Sequence, residues 1–304
     1  MTDFICIFAG EVKSRNISIQ NKMRRFASIF LTILVACSQV VMAKGKEEKQ
    51  ELKVMSYNIR LGSGQDGTNS WPHRCPATIE MINDQAPDVF GIQEALEYQI
   101  DFIEEFCNNY KCVGVGRDDG KKKGEFMAIF WNKKTTQMLK WGTFWLSETP
   151  DVPSKGWDAK CRRTATWALM KDKKSGKKYY FVNTHLDHRG KLAQKNGLML
   201  IIDRIESINP ENYPMVLTGD FNIRPDNPAL AELDKIMDSA RKVAAKTDNH
   251  NTFNGWSIKP SDVIIDYIYI AGFSSCPEYQ TITKKYAERP FVSDHYPIIS
   301  RVVF

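Results

Sequence analysis

The stretch Pro214-Met215-Val216-Leu217-Thr218-Gly219-Asp220-Phe221-Asn222 decides how the chain is read. Its first four residues are a short apolar run of strand type. Gly219 is expected to let the backbone turn. Alternation along an extended chain puts Asp220 and Asn222 on one side and points Phe221 into the core. A carboxylate and an amide held rigidly at a strand end suit a water and a phosphate oxygen.

The same design, an apolar strand closed by polar residues, recurs on both sides of this stretch. Residues 52–59 read as a strand ending at Asn58 and Arg60, and 88–92 as a buried strand ending at Gln93-Glu94. Residues 113–116, 126–131 and 139–146 read as further strands. Residues 164–170 and 179–183 flank Ser175-Gly176 as in a hairpin, and the second arm ends in Thr184-His185-Leu186-Asp187-His188. Residues 263–271 and 298–303 are late strands. Helix spacing marks 77–85, 96–106 and 191–208. Strands and helices alternate, with hairpins between them. The expected fold class is α/β (α+β): two packed β-sheets with helices on the outer faces and polar strand ends on one rim.

The totals describe an ordinary globular chain. Hydrophobic residues make up 42% and charged residues 26% of 304 positions, ample for a sizeable core. The formal charge of +6 shrinks once residues 1–43 are set aside, because 37 basic against 34 acidic residues leave +3. That is weak for a nucleic-acid binder, which concentrates a basic face. The lysines of 121–123 and 171–178 read as solvated turns.

Arg24-Arg25, the apolar run 26–37 and Val41-Met42-Ala43 follow the order of a secretory signal, with Met23 as its expected start. The run is too short for a stable membrane span. Cleavage after Ala43 would leave a charged leader, 44–50, and one domain, 51–304. The alternative is lipid anchoring at Cys37, since Leu34-Val35-Ala36-Cys37 resembles a bacterial lipobox. The expected location is therefore exported, periplasmic or secreted. Five cysteines follow the signal without metal spacing and read as buried small hydrophobes. The mature chain is expected to be a monomer with no transmembrane span.

Six strand-end groups stand out: Asn58, Glu94, His185, Asp220 with Asn222, Asp266, and Asp294-His295. Asp266, inside Ile264-Ile265-Asp266-Tyr267-Ile268, needs a partner or a metal, because an unpaired buried charge is very costly. Asp294-His295 sets a carboxylate beside an imidazole, a common way to orient a base.

In order, Met55-Ser56-Tyr57-Asn58, Ile92-Gln93-Glu94, Asn183-Thr184-His185-Leu186, Gly219-Asp220-Phe221-Asn222, Ile265-Asp266-Tyr267 and Ser293-Asp294-His295-Tyr296-Pro297 resemble the endonuclease/exonuclease/phosphatase superfamily, which is DNase I-like and metal-dependent. The resemblance spans essentially the whole mature chain. It implies a four-layer sandwich of two mixed β-sheets. It implies that Glu94 holds Mg²⁺ (Mn²⁺ possible) with Asn58 beside it and Asp294 nearby, as suits a hard cation that keeps several waters. It implies that Asp220 orients or deprotonates water, that Asn222 and His185 donate to phosphoryl oxygens, and that His295 contacts phosphate, oriented by Asp266 or a neighbouring carboxylate. One departure is that Ile264 stands where many members carry a basic residue.

The shared motifs leave the leaving group open. Arg117, Arg162, Arg163 and His188 lie on rim loops and are the expected substrate-binding residues, able to clamp a terminal or second phosphate. The leading expectation is a phosphoesterase acting on a small or glycan-linked phosphate, such as a sugar phosphate or phosphorylated polyol. A non-specific extracellular endonuclease is the alternative, and a catalytically inactive binding module the remote one.

Overall fold

The computed structural model describes residues 50–259 and 261–304. The expected secretory signal, with cleavage after Ala43 or the alternative anchoring at Cys37, and the leader up to residue 49 fall outside the described residues. Gln50–Phe304 packs as one unit. Its apolar runs form strands β1 (Glu51–Asn58), β2 (Val89–Gln93), β3 (Tyr110–Val113), β4 (Ile129–Asn132), β5 (Thr136–Trp145), β6 (Thr164–Asp172), β7 (Lys178–His185), β8 (Met215–Asp220), β9 (Asp238–Ser239), β10 (Asp266–Ala271), β11 (Ser275–Thr281) and β12 (Ile298–Val303). They build two six-stranded sheets, ordered β11-β12-β1-β2-β4-β3 and β5-β6-β7-β8-β10-β9. Each sheet is mixed: β1 runs parallel to β2 and β7 parallel to β8, and their other neighbours are antiparallel.

A parallel pair needs a crossover, and a helix supplies each one. Helix α1 (Trp71–Gln85) joins β1 to β2, and α3 (Lys191–Ile208) joins β7 to β8. Helix α2 (Glu97–Phe106) follows β2. Strand alternation then sorts the side chains into layers. Leu52, Val54, Val89 and Ile129 of the first sheet meet Met170, Phe181, Val216 and Ile268 of the second in a buried core between them. On the outer face of the first sheet Tyr57, Phe90 and Ile92 pack on Met81 of α1 and Ile103 of α2. On the outer face of the second, Val182, Leu217 and Tyr269 pack on Leu198, Ile201 and Ile205 of α3. This is the four-layer sandwich.

Several boundaries differ from the periodicity reading. Helix α1 starts at Trp71, with Pro72 in its first turn, where a missing N–H costs least, and it continues through Pro76. Strand β11 was not anticipated. It carries Pro277 and a register shift, which a sheet edge tolerates. Strand β10 begins at Asp266, so Val263–Ile265 lie outside the ladder. Gly219 stays inside β8 and does not turn the chain; a Cβ there would lie 2.3 Å from the Thr184 carbonyl oxygen. The turn comes at Asn222, in the left-handed region with φ 54°.

Among the described residues the five cysteines are free thiols; Cys107 and Cys276 are buried, and Cys75, Cys112 and Cys161 partly exposed. No helix among the described residues is long and apolar enough to cross a membrane.

Candidate active site

The four central strands end on the same rim. Asn58 closes β1, Glu94 follows β2, His185 closes β7 and Asp220 closes β8. The ladder sets His185 opposite Asp220, and Asp220 opposite Asp266, the first residue of β10. Beneath this rim the space between the sheets turns polar. Buried Asn183 accepts from Gln93 Nε2 at 2.7 Å and donates to the carbonyls of Ile92 and Ala128 at 2.7 and 3.0 Å. Gly91 makes room for that amide, since a Cβ would lie 2.4 Å from its Oδ1.

Arg60, Glu94 and Asn222, just past three of these strands, hold left-handed backbone with φ of 64°, 65° and 54°. Such residues cost energy and cluster at functional sites. The surroundings hold them. Glu94 Oε2 accepts from Leu61 N–H at 2.9 Å, and Asp220 Oδ1 accepts from Asn222 N–H at 2.9 Å. Arg74, fully buried, donates to the carbonyls of Ile59, Arg60, Asn69 and Val292 at 2.5, 3.0, 2.8 and 3.1 Å. It thereby stitches the exit of β1 to the segment carrying Asp294 and His295.

Asn58 is the hub. Its Nδ2 lies 3.1 Å from Glu94 Oε1, 3.0 Å from Asp220 Oδ2 and 3.4 Å from His295 Nε2. Its Oδ1 accepts from Arg60 N–H at 3.0 Å, so Asn58 stands beside Glu94 as a donor. Asp266 has its partner: His295 Nδ1 is 2.9 Å from Asp266 Oδ2. Burial opposes the charge on His295, but Asp266 and Asp220 outweigh it and raise its pKa, which favours the imidazolium form. Burial and the Asp266 charge raise Asp220, against His295. A more basic carboxylate, hydrogen-bonded on both oxygens, is equipped to accept a proton.

His185 behaves differently. Burial, then the Arg163 and Arg117 charges, drive its pKa well below the usual value, which favours the neutral ring. Asn222 Nδ2 lies 2.9 Å from His185 Nε2 and 3.1 Å from the Leu186 carbonyl. Donating to both, it leaves the His185 proton on Nδ1, which has no partner. Both amide hydrogens of Asn222 are thus occupied, and donation to a phosphoryl oxygen requires exchanging one of them.

The acidic groups suit a hard divalent cation. Burial would raise Glu94, but His295, Asn58, Leu61 N–H and Arg60 hold it below its usual range. Asp294 is raised by burial and by the Glu94 charge, against His295 and Arg60. Oxygens of Glu94 and Asp220 also fall within 4.8 Å of each other and of His185. Convergent buried carboxylates that repel one another are what a divalent ion would neutralise.

These residues open into a cleft of about 590 Å³. Arg117, Arg163 and His188 line it, as do Glu94, His185, Asp220, Asn222, Asp294 and His295. Arg162 does not: its side chain is 43% exposed and pairs with Asp118 at 3.5 Å. Asn58 and Asp266 lie behind the wall, both buried. Sequence reading missed Glu125, which pairs with Arg117 at 2.6 Å, and Phe253, which packs edge-on against His295. Segment 252–254 was missed as a whole. Thr252 Oγ1 accepts from Asp266 N–H at 3.1 Å, and Asn254 N–H donates to the Asp294 carbonyl at 2.8 Å. The signal available for Glu125 was the glycine-rich loop 116–124, whose ends must meet.

Residues 55–295 match the model of the endonuclease/exonuclease/phosphatase family. The mannosyl-6-phosphatase of Bacteroides thetaiotaomicron VPI-5482 is 34% identical, with a TM-score of 0.80 over 83% of this chain and 100% of that one. A family member from Bacteroides vulgatus is 35% identical, with a TM-score of 0.79 over 84% and 99%. An uncharacterized Acanthamoeba polyphaga mimivirus protein is 25% identical over 82% of this chain and 98% of its own length. With its twelve strands in two mixed sheets and its acidic and imidazole groups on one rim, the chain belongs to the endonuclease/exonuclease/phosphatase family and is a hydrolase of phosphate esters with the DNase I-like fold.

Proposed function

We propose that this chain is an exported, divalent-metal-dependent phosphoesterase acting on a small or glycan-linked phosphate, a sugar phosphate or phosphorylated polyol. The observation that carries the reading is the cleft. At about 590 Å³ it has the size of a small-molecule site, and carboxylates, imidazoles and arginines converge in it. The relation to a mannosyl-6-phosphatase supports the same substrate class. Export rests on the signal-like order of residues 24–43.

In this reading Asp220 accepts the proton of a water attacking phosphorus in line with the departing alkoxide. Asn58 and the Asn222 N–H fix the carboxylate at 3.0 and 2.9 Å. His295, held charged by Asp266, faces the phosphoryl oxygens as negative charge gathers on them. Neutral His185 offers a hydrogen bond without adding charge. Glu94 and Asp294 would hold Mg²⁺ or Mn²⁺, which supplies neutralisation of the phosphoryl and leaving oxygens.

The test is phosphate release by the purified protein with Mg²⁺ or Mn²⁺, and with EDTA as blank. Mannose 6-phosphate, other sugar phosphates, inositol phosphates and phosphorylated glycans form the panel, with nicking of plasmid DNA followed in parallel. Metal-dependent release from one of the panel without nicking is the expected result. Nicking without phosphate release would replace this reading with that of a secreted nuclease.

A further inference from the structure

The guanidinium groups of the cleft are not equivalent. Arg117 is bound to Glu125 at 2.6 Å, and Arg60 to Asp66 at 2.8 Å with Asp294 at 3.6 Å. Arg163 is different. It is 5% exposed and lines the cleft, yet its Nε and Nη1 have no hydrogen-bond partner. Only Nη2 is engaged, 3.1 Å from His188 Nδ1.

Asp187 lies near enough to balance the charge, 3.6 Å from Arg163 Nε, but not to accept from it. Its oxygens are taken by the N–H groups of Lys160, Cys161, Arg189 and Gly190 at 2.8–3.1 Å. The backbone at Arg163 is pinned too, since its carbonyl accepts from Leu146 N–H at 2.7 Å. A buried donor left unpaired is costly. Here it lines the same cleft as His185 and Asp220.

The chemistry that repays such a group is an additional anionic oxygen. A phosphomonoester approaches two negative charges at neutral pH, as its second pKa is about 6. A phosphodiester carries one, with a carbon substituent where the monoester has an oxyanion. We propose that Arg163, steadied by His188, binds the extra oxyanion of a terminal phosphomonoester, so that this chain selects monoesters over diesters. The inference rests on the phosphoesterase reading above and narrows its substrate class.

The experiment compares the full chain with Arg163→Met and Arg163→Lys on 4-nitrophenyl phosphate and bis(4-nitrophenyl) phosphate, and measures inorganic phosphate binding by calorimetry. Loss of one charge-assisted contact corresponds to a drop of about 10–100-fold. Arg163→Met is expected to lower monoester kcat/KM by about that factor, to change diester kcat/KM by less than about 3-fold, and to weaken phosphate binding in step with the monoester. Parallel loss on both esters at an unchanged Tm, or loss on neither, overturns the proposal. If Arg163→Met does not fold, Arg163→Lys decides: a selective monoester loss of about 10-fold is expected, and a proportional change on both esters overturns it. If the unmutated protein cleaves neither ester, the hydrolytic reading falls. Phosphate affinity then decides the subsite by itself, and affinity unchanged in both variants overturns it.

Discussion

Asp220 sits between neighbours that pull its proton in opposite directions. Asp266 and burial favour the proton, while His295 and the donors Asn58 and Asn222 N–H oppose it. Asp220→Asn keeps the shape, removes the proposed base and removes the repulsion between two buried carboxylates. Its kcat should fall by about 10²–10⁴, the range of a lost general base. Its Tm should stay level or rise. Steady-state kinetics beside a thermal melt checks both, and an active variant would move the base elsewhere. Asp220, Asp266 and His185 were legible in the sequence because each interrupts or closes an apolar run. The isolation of Arg163 was not, because it depends on what Asp187 has already bound, 24 positions along the chain.

At the scale of elements, two connections fix the cleft wall. The loop before β6 and the segment after β7 are joined by Asp187, whose side chain receives four backbone N–H groups. Burial would raise its carboxyl pKa, but those donors outweigh burial and hold it well below the usual value. A carboxyl depressed in the folded state stabilises the fold above its unfolded pKa, near 4, and loses that contribution as pH falls. Asp187→Asn should therefore cost about 3 kcal/mol at pH 7, or a Tm drop of about 10 °C. The gap to the unmutated protein should narrow below about pH 4, as followed by melts from pH 7 to 3. A gap constant across that range would deny the carboxylate this role. Lower down, Gly91→Ala would drive a methyl into the Asn183 amide. Overpacking there should cost about 1–3 kcal/mol, read as a urea midpoint shift, and should depress activity by disturbing the layer under Glu94. Element order was largely legible, since buried strands and long amphipathic helices carry strong periodicity. Edge strand β11 and the first turn of α1 were not, because proline and polar residues are tolerated there and mask the pattern.

Across the whole molecule, charge separates the two kinds of substrate. Residues 44–304 carry a net charge of +3, and the charges of the cleft arginines are offset by the nearby carboxylates of Glu125, Asp66 and Asp187. A protein that follows a nucleic-acid backbone through several phosphate contacts releases counterions on binding. With six to ten contacts it loses about 10³–10⁵ in affinity between 50 and 200 mM salt. One phosphate in a cleft whose cations are already balanced releases few. For a sugar phosphate, kcat/KM should accordingly fall by less than about 5-fold over that range, since buried interactions are screened less than exposed ones. Initial rates at substrate concentrations well below KM give the value directly. A steep fall would mean that the field beyond the cleft takes part in binding, and would turn attention to the exposed lysines of residues 121–123 as part of a longer phosphate track.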